Sequence, residues 1–184
     1  MKVRILFLIC FLCITCLLNA ADKPVIQIHT DNSSLIFHVA DNGRLYQSYL
    51  GKKLNHETDI SHLPQGTEAY ITHGMEDYFE PAIHILHNDG NPSLLLKYVS
   101  HETKAVSQGV NETIITLGDD KYPVTVKLHY VTYPAEDIIK TYTEISHKEK
   151  KRVVLHQYAS SMLHLNRAKY YLTEFSGDWA HEAN

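Results

Sequence analysis

The sequence predicts an all-β fold, a single sandwich or barrel domain. Three observations carry this. Apolar residues recur at period two through much of the chain, Gly, Asn, Asp and Pro punctuate it at short intervals, and strong helical periodicity is missing. The 12 tyrosines fall mostly in strand contexts, where aromatic rings suit a pleated surface.

The start of the chain stands apart from the fold. Lys2 and Arg4 precede an uncharged, largely apolar run over residues 5–18, followed by Asn19-Ala20-Ala21. This is the pattern of a secretory signal peptide, residues 1–20, with residues 22–184 as the mature domain. The run is shorter than the roughly 20 residues that cross a bilayer, so no membrane span is expected, and the expected location is secreted or periplasmic. Cys16 offers a second reading, a lipidated cysteine. That signal wants a small residue just before it and an aliphatic one three before, where Thr15 and Cys13 stand, so cleavage and release is preferred.

The strands follow in order. Residues 25–30 (VIQIHT) and 34–40 (SLIFHVA) each have one face more apolar than the other, and Asp41-Asn42-Gly43 then supplies a hairpin turn before 44–50. Residues 82–87 run into the densest turn cluster, Asn88-Asp89-Gly90-Asn91-Pro92, with a strand over 94–103 beyond it. Residues 112–117 pair across Gly118-Asp119-Asp120 with 124–133, which Pro134 closes because proline cannot donate to a ladder. Strands at 138–146, 153–160 and 169–175 complete a set of about ten. The segment 160–169 is the best helix candidate, short and ambiguous. The long stretch 52–78 reads as a functional loop or as two short strands near 68–72.

Composition removes several function classes. The whole chain has 17 basic and 21 acidic side chains, a net charge of −4, and losing the two leader cations makes it −6. The only basic cluster, Lys148–Arg152, is interrupted by Glu149. Nucleic acid and anionic membrane surfaces are therefore poor partners. Cys10, Cys13 and Cys16 all lie in the leader, so the mature chain has no thiol for disulfides, catalysis or zinc.

Motifs for chemistry are thin. The 13 histidines invite a metal reading, yet no HExxH or Cys-His pattern occurs, and His84 and His87 fall on opposite faces of one strand. Glu76, Asp77, Glu80 and Asp59 cluster in the long loop without spacing that would aim two carboxylates at one sugar. No GxSxG elbow, GxGxxG or P-loop appears, and no cofactor is expected. Tyr46, Tyr49, Tyr70, Tyr78, Phe79 and Trp179 could stack on sugars or equally fill a core.

Three segments nevertheless resemble one family. His87-Asn88-Asp89-Gly90-Asn91-Pro92-Ser93 with Leu96-Lys97-Tyr98-Val99-Ser100-His101 is similar to the HADGNxS…LxYVSH stretch of family 36 α-galactosidases. Tyr171-Leu172-Thr173 through Ser176-Gly177-Asp178-Trp179-Ala180-His181-Glu182 resembles the YLTxxSGDWxxE segment, and Asp77-Tyr78-Phe79-Glu80-Pro81-Ala82 the DFRxPA loop. The resemblance implies a two-sheet β-supersandwich of the galactose mutarotase-like type. In that family the domain precedes a (β/α)8 barrel that carries both catalytic aspartates and removes terminal α-linked galactose with retention. This chain is then expected to be a fragment, inactive alone, whose α-galactoside substrate binds through the missing barrel and whose full-length parent is a homo-oligomer. By position Asp77 matches the loop aspartate that helps wall the galactose pocket, and Trp179 matches the SGDW tryptophan near the domain boundary. Phe79 stands where the family has Arg, which removes a positive charge from the loop. A free-standing carbohydrate-binding module and a mutarotase-like epimerase with a His and a Glu facing one sugar remain open as alternatives.

Overall fold

In strands that cover a core on one side, side chains alternate between that core and solvent. The computed structural model of the protein describes residues 23–74 and 80–165 and follows that rule over most of its length. In chain order the elements are β1 Val25–His29, β2 Ser33–Val39, β3 Leu45–Lys52, a one-turn helix α1 Glu57–Ser61, β4 Thr67–Glu68, β5 Ile83–Leu86, β6 Lys97–Ser107, β7 Val110–Gly118, β8 Val124–Tyr133, β9 Ile138–His147 and β10 Val154–Tyr158. They form two four-stranded antiparallel sheets, β1-β2-β3-β4 and β6-β7-β8-β9, with β5 and β10 as a separate antiparallel pair.

The two larger sheets face each other across one core. Ile26, Ile28, Leu35, Phe37 and Leu45 come from the first, and Ile115, Leu117, Val126, Leu128 and Tyr130 from the second. The rings of Phe37 and Tyr130 meet at 5.2 Å between centroids, which fixes the sheets at their centre. At one end Asp137, in the β8–β9 turn, laces the sheets together. It accepts hydrogen bonds from the hydroxyls of Thr30 and Ser33 (3.1 Å to Ser33) and from the Asn32 amide at 3.4 Å, in the β1–β2 turn and at the start of β2.

Local sequence explains most boundaries. Gly43 takes φ +78° in the β2–β3 hairpin, the conformation that the Asp41-Asn42-Gly43 signal requires. The pairing of β7 with β8 runs unbroken from Asn111↔Thr132 to Gly118↔Thr125, as the turn at Gly118 predicts. β8 and β9 keep register over all ten residues, Val124↔His147 to Tyr133↔Ile138.

Three elements differ from expectation. The loop 52–78 contains α1, whose N-cap residue His56 makes no side-chain capping bond and which buries no residue. A single turn without an apolar stripe leaves nothing for periodicity to detect. The strand predicted at 94–103 begins and ends later, at Lys97–Ser107. Leu94 and Leu96 are buried without belonging to a ladder, whereas the far half of β6 is exposed and lacks the alternation that would have marked it. In the helix candidate 160–169, residues 160–165 are irregular, and the rest lies outside the described residues, as does the strand predicted at 169–175.

Candidate functional site

The loop that carries Asp77 is anchored by its two stems, and the stems define the candidate site. The His73 amide donates to the Ile83 carbonyl at 2.9 Å, and the Ala82 amide to Ile71 at 2.8 Å. From the other side, β10 closes the stem. The Ala159 amide donates to Ala82 at 2.7 Å, and Gln157 Nε2 donates both to Glu80 Oε1 at 2.8 Å and to the Pro81 carbonyl at 3.0 Å. Gly74 takes φ +84°, and a Cβ there would stand 3.3 Å from Ser93 Oγ. A side chain at that position would strain the backbone and crowd the turn beside it.

Three imidazoles line this stem. His73, His84 on β5 and His156 on β10 stack in a row, with centroids 3.7 Å apart for the first pair and 4.8 Å for the second. Burial lowers the pKa of His84, and the neighbouring charges of His73 and His156 lower it further. His73 and His84 lie face to face, and His156 is tilted by 35° against His84. Among the described residues no group of three or more His, Cys, Asp or Glu could hold a metal ion.

Two His–Glu pairs lie elsewhere. In the first, His87 Nδ1 donates to Glu149 Oε1 at 2.7 Å, and His87 Nε2 contacts the Ser93 carbonyl at 3.1 Å. Both ring nitrogens thus face oxygen atoms. Glu149 Oε2 accepts from the Asn88 amide at 3.0 Å and from its side chain. Tyr122 stacks flat on His87 at 3.5 Å and donates its hydroxyl to Asp89 at 2.9 Å. Burial opposes ionisation of Glu149, but the hydrogen bonds from His87 and Asn88 outweigh it and hold the carboxyl below the usual range. Asx turns complete the turn, Asn91 amide to Asp89 and Ser93 amide to Asn91. The residues of the HNDGNPS motif therefore form a clasp, and its job is architectural.

The second pair lies on the outer face of the β6–β9 sheet. Glu112 accepts from Tyr142 at 2.6 Å and from His129 Nδ1 at 2.9 Å, and Lys104 stands 3.0 Å away. These three hydrogen-bond donors hold its pKa down to about 2. His129 and Tyr142 stack at 4.3 Å, and His129 Nε2 is buried without a hydrogen bond. In each pair the His and Glu bond to one another and do not straddle a cleft. A cleft of about 240 Å³ opens between Val25, Ile36, His38, Ser48, Ile60 and Leu63, and neither pair borders it. The epimerase arrangement, with His and Glu flanking one sugar, finds no support among the described residues.

Residues 43–184 match the family model of the glycosyl hydrolase family 36 N-terminal domain. The chain belongs to that family. Among solved structures, it is similar to an α-galactosidase from Lactobacillus brevis, with TM-score 0.72 and 20% identity over 88% of this chain and 26% of that one. It is also similar to the galactosidase domain of the α-galactosidase-sucrose kinase AgaSK, with TM-score 0.66, 20% identity, and coverage of 74% and 24%. The third is the family 36 α-galactosidase AgaA A355E D548N from Geobacillus stearothermophilus in complex with raffinose, with TM-score 0.67, 19% identity, and coverage of 74% and 24%. No curated protein matches. The chain thus spans about a quarter of the length of these enzymes, and at such identities the likeness shows the fold, an all-β sandwich.

The family 36 domain places the predicted site residues unevenly. Asp77 and Trp179 both lie outside the described residues, as do Tyr78 and Phe79. Glu80, at the edge of the Asp77 loop, is engaged by Gln157. Of the sugar-stacking candidates, Tyr70 is buried and donates to the Ala159 carbonyl at 2.7 Å. Tyr46 stacks on His38, and Tyr49 donates to the Lys52 carbonyl. The residues that sequence reasoning missed are the His73–His84–His156 row and Glu149. The first joins positions far apart in the chain, and the second was hidden in a basic stretch that reads as solvated surface.

Proposed function

We propose that this family 36 domain is the N-terminal, non-catalytic part of an α-galactosidase that removes terminal α-linked galactose from oligosaccharides, exported by the leader at residues 1–20. The match to the family model over residues 43–184 is the observation that carries this reading. The architecture supports it. The described residues form a sandwich, and its His87–Glu149 and His129–Glu112 pairs are tied up in holding strands and turns together. The loop stem bearing Gly74 and Glu80 is the part built to present a segment, and the DFRxPA-like residues, Asp77 first among them, are the sugar-facing contribution to a pocket completed by the catalytic barrel.

The exposed apolar residues fit a docked domain. Leu155 and Tyr158 on β10, then Leu163 and Leu165, are all exposed, Tyr158 at 64%. Exposed apolar residues near one another in sequence are candidates for a surface against which another domain packs, and here the barrel is the proposed occupant. Among the described residues no helix is long and apolar enough to cross a membrane.

The test is an assay of the purified chain with a nitrophenyl α-galactoside. No release of nitrophenol is expected, and turnover above the buffer rate overturns the non-catalytic assignment. Tyr158, with its exposed ring, favours one second reading, a free-standing carbohydrate-binding module. Calorimetry with galactose or raffinose at millimolar concentration separates the two, because a module gives measurable heat and a supporting domain without its barrel gives none.

A further inference from the structure

The β5–β10 pair is a short ladder set apart from both larger sheets. A two-stranded ladder is marginal unless packing supports it, and here one strand has most of that support. Ile83 and Ile85 anchor β5 in the core, whereas every residue of β10 is exposed or half-buried. The ladder also slips by one residue between Leu155 and Gln157. His156 is the residue left over at this irregularity, and its ring lies 4.8 Å from that of His84. His84 also stacks on His73 at 3.7 Å, and one parallel bridge, Thr72↔Ile83, joins the His73 segment to β5. The imidazole row therefore runs across all three pieces of the stem.

A charged row has nothing to balance it. His87 and His129 each bond to a glutamate. Among the described residues no carboxylate is hydrogen-bonded or ion-paired to His73, His84 or His156. Glu80, on the returning stem, accepts from Gln157. The charges that act on His84 are those of His73 and His156, and both oppose its protonation. The chain enters β10 through Lys150, Lys151 and Arg152, all exposed, which adds positive charge and no counter-ion. Like charges about 4 Å apart repel even in water, and imidazole gains its charge between about pH 8 and pH 5.

We propose that the row is an acid-responsive latch: neutral rings stack and keep β10 on β5, and protonated rings push β10 away while the two four-stranded sheets stay folded. β10 is the strand that leaves, because β5 is anchored by its isoleucines. The exposed Leu155 and Tyr158 go with it. Local opening of this kind, below the energy of global unfolding, belongs to segments with little buried contact. The inference stands on the geometry of the row and is independent of the galactosidase reading, so the outcome of the galactosidase assay leaves it untouched.

Hydrogen exchange of the purified chain, corrected for the intrinsic effect of pH on exchange, tests it. Peptides covering residues 80–86 and 154–160 report the stem, and a peptide covering 124–133 reports the core as a control for folding. From about pH 7.5 to about pH 5.5, protection of the native stem is expected to fall about tenfold with the core unchanged. His84→Phe keeps a ring that stacks and cannot charge, and its stem should stay protected at the lower pH. His84→Lys fixes a charge in the row, and its stem should exchange about tenfold faster than the native one already at the higher pH. His156→Phe repeats the test from an exposed position, should a change at His84 unfold the chain. Stem protection that does not respond to pH overturns the proposal. So does a fall that the core shares, one that persists in both phenylalanine variants, or a folded His84→Lys chain whose stem is as protected as the native one.

Discussion

The clasp at His87 and the cluster at His129 use the same chemistry for different ends. Each joins a histidine Nδ1 to a glutamate, at 2.7 and 2.9 Å, and each stacks a tyrosine on the imidazole. Their exposures differ. The His87 and Glu149 side chains are 0% and 1% exposed, against 8% for both His129 and Glu112. Their connections differ more. Glu149 reaches across 62 residues to His87 and 61 to Asn88, so it ties the segment after β9 to the turn before β6. Glu112, His129 and Tyr142 sit on neighbouring strands already held by backbone ladders. The clasp joins two segments that lie outside the ladders, whereas the cluster reinforces strands that backbone ladders already hold.

Truncating each carboxylate is the sharpest way to break the comparison, and Glu149→Ala carries the largest expected effect. It leaves the buried His87 ring without its carboxylate acceptor, while the exposed Asn88 donors can turn to water, a loss of about 3 kcal/mol, read as a lower urea midpoint. Glu112→Gln keeps an acceptor for Tyr142 and removes only charge-assisted strength, for a loss of about 1 kcal/mol. Equal losses from the two substitutions would erase the distinction.

Acid provides a finer probe. The folded-state pKa of Glu112 is about 2, below its ordinary value of 4.5. Its contribution is therefore complete above about pH 4.5 and is lost as the pH falls from there toward 2. Stability measured through that window should drop less steeply in Glu112→Gln than in the native chain. An unchanged slope would show that Glu112 does not set the acid limb.

The smallest effect belongs to the imidazole row, where histidine meets histidine in place of a carboxylate. Burial and the two neighbouring rings lower the pKa of His84. Its folded value lies below its unfolded one, so the stability it contributes is present above about pH 6.5 and lost as pH falls below that. His84→Gln should flatten the stability profile between neutral and mildly acid pH. A profile that stays as steep would assign the proton uptake to another group.

Much of the fold was legible in the chain because its signals are local. The hairpin at Asp41-Asn42-Gly43, the turn at Gly118 and the closing of β8 by Pro134 each depend on the backbone preferences of one or two residues. The alternation in β1 and β8 reports burial on one face. Residues 87–93 announced a turn for the same reason, although their family likeness gave no hint of the clasp. The candidate site was legible only as a loop. The stem's closure by Gln157 joins it to Glu80, 77 residues earlier, and nothing near either residue marks the other.

By itself, then, the sequence determined that this protein is built of strands, where most of them turn, and which family it resembles, since those properties arise from side-chain periodicity and the φ preferences of neighbouring residues. Only the tertiary structure decided that Glu149 is buried against a turn and that three histidines from three segments gather at one loop stem. Each of those outcomes depends on which distant segments meet, and that is set by packing the whole core at once.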